Sequence, residues 1–142
     1  MEKAQVTFTI DINASPEKVW DVLWTDSTYQ QWTTVFSEGS LAVSDWKEGS
    51  EIFFVNADGN GMYSKIEKKT VPSEMSFLHL GEIKDGVRTV TEWGDGYERY
   101  FLTEKNGGTE LRVTLDAVSA FVDFFNETFP KALAIVKMLS EN

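Results

Sequence analysis

His79 is the only imidazole in the chain, so a general base at neutral pH is sought there first. Period-two counting puts Met75, Phe77 and His79 on one face of a strand, with Ser76, Leu78 and Leu80 on the other. By the same parity Glu98, Tyr100 and Leu102 share a face, as do Leu111, Val113 and Leu115. If these faces look the same way, a Glu98–His79 pair could hold the imidazole protonated and orient a polar ligand group. It could equally be a structural hydrogen bond, and a one-residue slip would turn Glu98 outward. A core or cavity-lining histidine outweighs a catalytic one. There is no Gly-Xaa-Ser-Xaa-Gly motif, and a single His among many Ser is no sign of a triad.

Other chemistries are excluded by residue type. The chain has no Cys, which removes disulfides, thiolate metal sites, iron–sulfur clusters and a thiol nucleophile. One His removes any multi-histidine metal site. The run Asn56-Ala57-Asp58-Gly59-Asn60-Gly61, with Glu67 beyond it, imitates a calcium loop. Its flanks read as strands where that motif needs helices, and Asp-Gly-Asn-Gly is hairpin chemistry, so a hairpin is expected and no metal. No cofactor is expected either. Asn13-Ala14-Ser15 and Asn126-Glu127-Thr128 are glycosylation sequons in form only.

With 13 Lys and Arg against 23 Asp and Glu, the net charge is −10, which repels a phosphate backbone; nucleic acid is not an expected partner. No apolar run reaches the roughly 20 residues of a membrane span, and the opening residues do not read as a signal peptide. With no Cys, a reducing cytoplasm is the expected compartment. The 142 residues fit one domain, taken as residues 1–142. Aromatic residues reach 13%, while catalytic residue types are scarce, which points to a packed interior or an apolar pocket before an enzyme.

The elements that must position these groups are legible as pattern. Val6 to Ile12 alternates apolar and polar, a half-buried strand. Ser15 can cap a helix with Pro16 at its first position, and Val19, Trp20, Val22 and Leu23 give it an apolar face. Ser27-Thr28-Tyr29-Gln30 reads as a capping box opening a second short helix. Strands are expected over residues 39–45, 51–57, 62–69, 74–83, 97–105 and 109–116, with 87–96 ambiguous and broken at Gly94-Asp95-Gly96. Val118, Phe121, Val122, Phe125, Phe129, Leu133, Val136 and Leu139 recur at helical spacing. Pro130 interrupts them; one long kinked helix is expected rather than a shorter helix starting near Thr128. The class is α+β: a curved antiparallel sheet of about six to seven strands gripping a long C-terminal helix, with two short helices after the first strand.

The chain resembles the START-like, or Bet v 1-like, superfamily with its helix-grip fold. Within it, it is similar to small single-domain bacterial proteins grouped with the C-terminal domain of activators of the ninety-kilodalton heat-shock chaperone. The resemblance rests on Ile12-Asn13-Ala14-Ser15-Pro16-Glu17-Lys18-Val19-Trp20, Tyr29-Gln30-Gln31-Trp32 with Phe36, Glu48-Gly49-Ser50, Met75 to Gly81, and Gly108 to Val113. It covers essentially the whole chain, and the activators' companion N-terminal domain has no counterpart in it. It implies a hollow between sheet and C-terminal helix that takes an apolar small molecule in many relatives. In that register Phe77, His79, Glu98 and Tyr100 point inward. Trp32 and Phe36 stand at the cavity mouth, and Phe121, Phe124, Phe125 and Phe129, with Leu133 and Val136, make its floor. Trp20 is expected to pack in the core. Gly94-Asp95-Gly96 beside Trp93 could make a movable flap.

Three functions follow in order. The first is non-catalytic binding of a small apolar ligand by Trp32, Phe36, Phe77, His79, Glu98, Tyr100, Phe121, Phe125 and Phe129. The second is a protein-interaction domain of the chaperone-regulator kind, which needs a protein partner. The third, carried least by the residues, is a cavity enzyme acting on a cyclic or polyketide-like substrate with His79 as acid or base.

Overall fold

The computed structural model describes residues 3–90 and 96–142. The expectations placed on Trp93, Gly94 and Asp95, the flap included, lie outside the described residues. The chain runs β1 (Lys3–Ile12), α1 (Pro16–Trp24), α2 (Asp26–Thr33), β2 (Leu41–Val43), β3 (Glu51–Val55), β4 (Gly61–Thr70), β5 (Glu74–Lys84), β6 (Val87–Val90), β7 (Gly96–Lys105), β8 (Gly108–Val118), a single 3-10 turn (Ser119–Phe121) and α3 (Val122–Glu141). All strand pairs are antiparallel, in the order β1-β8-β7-β5-β4-β3-β2, with β6 on the end of β5. The helices and sheet together make the α+β helix-grip architecture. The described strands number eight because Val87–Val90, ambiguous in the sequence, pairs with Gly81–Lys84.

Local chemistry sets the helix ends. Ser15 Oγ accepts the Lys18 N–H at 3.2 Å, and Pro16 opens α1 where a missing N–H is harmless. The capping box expected at Ser27 does not form. Thr25 ends α1, its N–H donating to Asp21, and starts α2, its carbonyl accepting from Tyr29 N at 2.8 Å. The shared residue starts α2 two residues earlier than the side-chain pattern suggests. β2 is shorter than its sequence run, because Ser44 Oγ donates to the Glu51 carbonyl at 2.7 Å and turns the chain off the sheet.

α3 is continuous through Pro130, whose exposed ring sits on the solvent side. Its buried residues Thr128, Phe129, Ala132, Leu133, Val136 and Ser140 recur at three and four, one stripe against the core. Phe129 stacks on Phe8 of β1 with centroids 5.0 Å apart. At the far end Glu141 accepts from Asn13 N at 2.8 Å and from Lys137 Nζ, while Lys137 Nζ also donates to the Asp11 carbonyl at 2.9 Å. These bonds fasten the end of α3 to the β1–α1 connection. Trp20 packs into the core with Val19, Leu23, Leu111 and Val113. Among the described residues no helix is long and apolar enough to cross a membrane.

Candidate functional site

β5 sets the geometry of the site. Its first half, Glu74–His79, pairs with β7, and its second half, Gly81–Lys84, pairs with β6. On the other side the register against β4 shifts between Tyr63 and Ser64: Tyr63 faces Gly81 and Ser64 faces His79, leaving Leu80 as the extra residue of a bulge. The shift keeps Ser64, Ile66, Phe77 and His79 buried on one face. Glu98 faces Phe77 and Leu115, and Tyr100 faces Met75 and Val113, so β7 carries its polar pair onto the same face.

A linear hydrogen-bonded array results. Ser64 Oγ lies 2.6 Å from His79 Nδ1, and His79 Nε2 lies 2.8 Å from Glu98 Oε1. The Tyr100 hydroxyl donates to Glu98 Oε2. Burial by itself would raise the Glu98 carboxyl. The His79 hydrogen bond, the charge His79 carries when protonated and the Tyr100 hydroxyl more than offset this and hold it below the usual carboxylate value. Burial, then the Glu98 charge and hydrogen bond, push the Tyr100 phenol well up. Tyr29 is raised by burial and by Glu98 in the same way. The array therefore centres on an ionised carboxylate held among neutral phenols.

A hollow of about 360 Å³ opens over this array. Nine of its twenty described lining residues are Phe, Tyr or Trp; His79, Glu98 and Tyr100 form one bonded polar cluster, and Thr33, Ser37, Ser40, Asn56 and Asn60 add further polar groups. Trp32, Phe36, Phe77, His79, Glu98, Tyr100, Phe125 and Phe129 all face it. Phe121 does not. It sits in the 3-10 turn before α3 and is 53% exposed, because α3 turns its Phe125/Phe129 stripe inward and leaves the residue ahead of its first turn outside. Phe124, inside α3 but off that stripe, is exposed as well. Leu133 and Val136 are buried deeper in the core and are not part of the cavity floor.

Several lining residues were not singled out from the sequence as site residues. Trp24 sits at the centre of the ring cluster, with edge-on contacts to Trp32, Phe77 and Tyr100 at centroid distances of 6.4, 5.4 and 4.9 Å. Its signal was the spacing of four from Trp20. Tyr29 meets Trp32 edge-on at 5.4 Å, and Phe54 meets both Phe77 and His79. Phe54 and Ser64 were readable by strand parity, Phe54 two residues from the buried Ile52 and Ser64 two from the buried Ile66. Trp32 Nε1 donates to the Leu23 carbonyl at 3.2 Å, which locks α2 on α1 and fixes that wall. Asn56 and Asn60 stand at the rim on the β3–β4 hairpin, closed by Asn56 N to Asn60 O at 2.8 Å with Gly59 at φ 79°. The calcium-like run is this hairpin loop.

A sheet wrapped on one long helix, with an aromatic hollow ending in a polar cluster, defines a START-like helix-grip domain. The family described as activator of Hsp90 ATPase homolog 1-like protein matches residues 13–128, and the chain belongs to it. No curated protein sequence matches the chain significantly. Among solved structures the chain is similar to the Aha1 dimer from Colwellia psychrerythraea: TM-score 0.76, 22% identity, 97% of this chain and 96% of that one. It is also similar to CalU16 from Micromonospora echinospora, with TM-score 0.72 and 14% identity over 98% of this chain and 77% of that one. DynU16, from the dynemicin biosynthetic locus, matches at TM-score 0.72 and 12% identity over 94% of this chain; the chain spans less than half of that protein, 46%. At these identities the likeness is one of fold, and family membership suggests a ligand-binding or regulator-like domain.

Proposed function

We propose that this protein binds a small, mainly apolar molecule in the hollow between the sheet and α3. The observation that carries the reading is the hollow itself: about 360 Å³, walled by aromatic side chains and ending in one convergent polar cluster, His79, Glu98 and Tyr100. Ligand sites are typically about 300–1,000 Å³, apolar in the wall, with a few placed polar groups that set orientation. The wall supplies affinity at ~25 cal/mol for each Å² of apolar surface removed from water. The polar array is internally bonded, so its work is to orient a ligand head rather than to attack it.

A native mass spectrum of gently purified protein, followed by extraction, tests this. A reproducible bound organic species, and a thermal shift when it is added back to stripped protein, is the expected result. A clean apo mass together with no thermal shift from apolar compounds of this size would overturn it. The family description supports a second reading, a protein-interaction domain of the chaperone-regulator kind, with the exposed Phe121 and Phe124 as its docking surface. In that case Phe121→Ser and Phe124→Ser remove a partner captured by the wild type and leave ligand binding alone.

A further inference from the structure

The charge of the occupant can be read from what lines the hollow, taking the binding reading above as its basis. Among the described residues no Lys or Arg faces it, and the ionisable groups that do are Tyr29, His79, Glu98 and Tyr100. An anionic ligand, such as a fatty acid, would therefore meet a carboxylate and find no fixed cation. Ser64 is fully buried, and its only side-chain partner among the described residues is His79 Nδ1, so the ring is held with Nε2 against a single Glu98 oxygen.

The Glu98 carboxylate can be reached. The Glu98 side chain keeps 21% of its surface open, and each carboxylate oxygen has a second lone pair beyond those used by His79 and Tyr100. Beside it the Tyr29 hydroxyl makes no hydrogen bond to any described residue, although Tyr29 is only 7% exposed. The rings of Trp24, Trp32, Phe77 and Tyr100 line the same hollow, and their π-systems attract a cation and repel an anion. The net charge of −10 adds a long-range field of the same sign.

We propose that the occupant is a lipophilic amine bound as its ammonium ion, its head on the Glu98 carboxylate beside the Tyr29 hydroxyl and its apolar body along the aromatic wall.

Three probes that share one ring system test this by titration calorimetry at pH 7.5: 2-naphthylmethylamine, 2-naphthalenemethanol and 2-naphthoate. The ammonium should bind at least about tenfold more tightly than the alcohol, and the carboxylate most weakly. Glu98→Gln should collapse the ratio of ammonium to alcohol towards one. Tyr29→Phe, which deletes only an unbonded hydroxyl, should weaken the ammonium while the fold is kept. The ranking on the wild-type protein stands even if Glu98→Gln fails to fold. Alcohol and ammonium binding equally, or the carboxylate binding best, would overturn the cation proposal and leave the binding reading intact. No binding by any of the three would overturn both.

Discussion

Ser64 on β4 and His79 on β5 stand directly opposite each other, Oγ 2.6 Å from Nδ1, because a bulge at Leu80 removes one residue from the register. The serine fixes the imidazole edge and so aims Nε2 at Glu98. Ser64→Ala leaves a buried ring nitrogen without its partner and should cost about 1–3 kcal/mol. Urea denaturation reads this directly, and an unchanged midpoint would show that the pair is incidental.

Acid should destabilise the protein through Glu98. Its carboxyl is held below the ordinary value in the fold, so the unfolded chain binds its proton first. The stability that Glu98 contributes is complete above the unfolded pKa of about 4.5 and is lost as pH falls through the lower folded value. Melting temperature against pH between about 6 and 3 should fall more steeply for the wild type than for Glu98→Gln. Parallel curves would remove Glu98 from the account.

Position along the aromatic run should matter more than residue type. Trp32 is 2% exposed, touches Trp24, Tyr29 and Tyr100, and donates to Leu23, so Trp32→Ala should cost about 3–5 kcal/mol. Phe121 is 53% exposed, and Phe121→Ser should stay within about 0.5 kcal/mol and leave ligand affinity unchanged. Chemical denaturation of both variants decides it; a large loss at Phe121 would contradict its outward placement.

Gly81 marks a close approach of backbones. A Cβ there would lie 2.3 Å from the Thr89 carbonyl oxygen and 2.7 Å from Tyr63 Cε1. Gly81→Ala should therefore push β6 off β5 at a cost of about 1–3 kcal/mol. Amide exchange in residues 87–90 should speed up more than exchange in β8, and uniform exchange would argue against a local clash.

Pro130 lies inside α3 on its solvent face and donates no backbone hydrogen bond. Pro130→Ala should stabilise the protein by up to about 3 kcal/mol, since no buried contact is lost with the ring. A lower melting temperature would mean that the proline shapes α3 in a way that the core requires.

Much of the fold was written in short-range pattern. Ser15 and Pro16 announce α1 by capping chemistry alone, Asp58-Gly59-Asn60-Gly61 announces its hairpin, and alternation from Val6 to Ile12 announces β1. These are local preferences, and the chain obeys them because nothing distant opposes them. The start of α2 differs from its side-chain pattern because Thr25 is shared by two helices, a backbone arrangement that no side chain signals. β6 was ambiguous because Val87–Val90 has no apolar face of its own and exists only by pairing with the end of β5.

For the site, residue types alone set the chemistry: one imidazole, no thiol and an excess of rings. Strand parity placed His79, Glu98 and Tyr100 on compatible faces. That these faces converge is a product of long-range packing. The Leu80 bulge brings Ser64 to His79, β7 brings Glu98 to His79, and the packing of α3 turns Phe125 and Phe129 inward and leaves Phe121 outside. Trp24, Tyr29 and Phe54 join the wall for the same reason. Periodicity states which way a side chain leaves its own element. Register between strands and the rotation of a helix on a sheet are summed over many distant contacts, and no single stretch of sequence carries them.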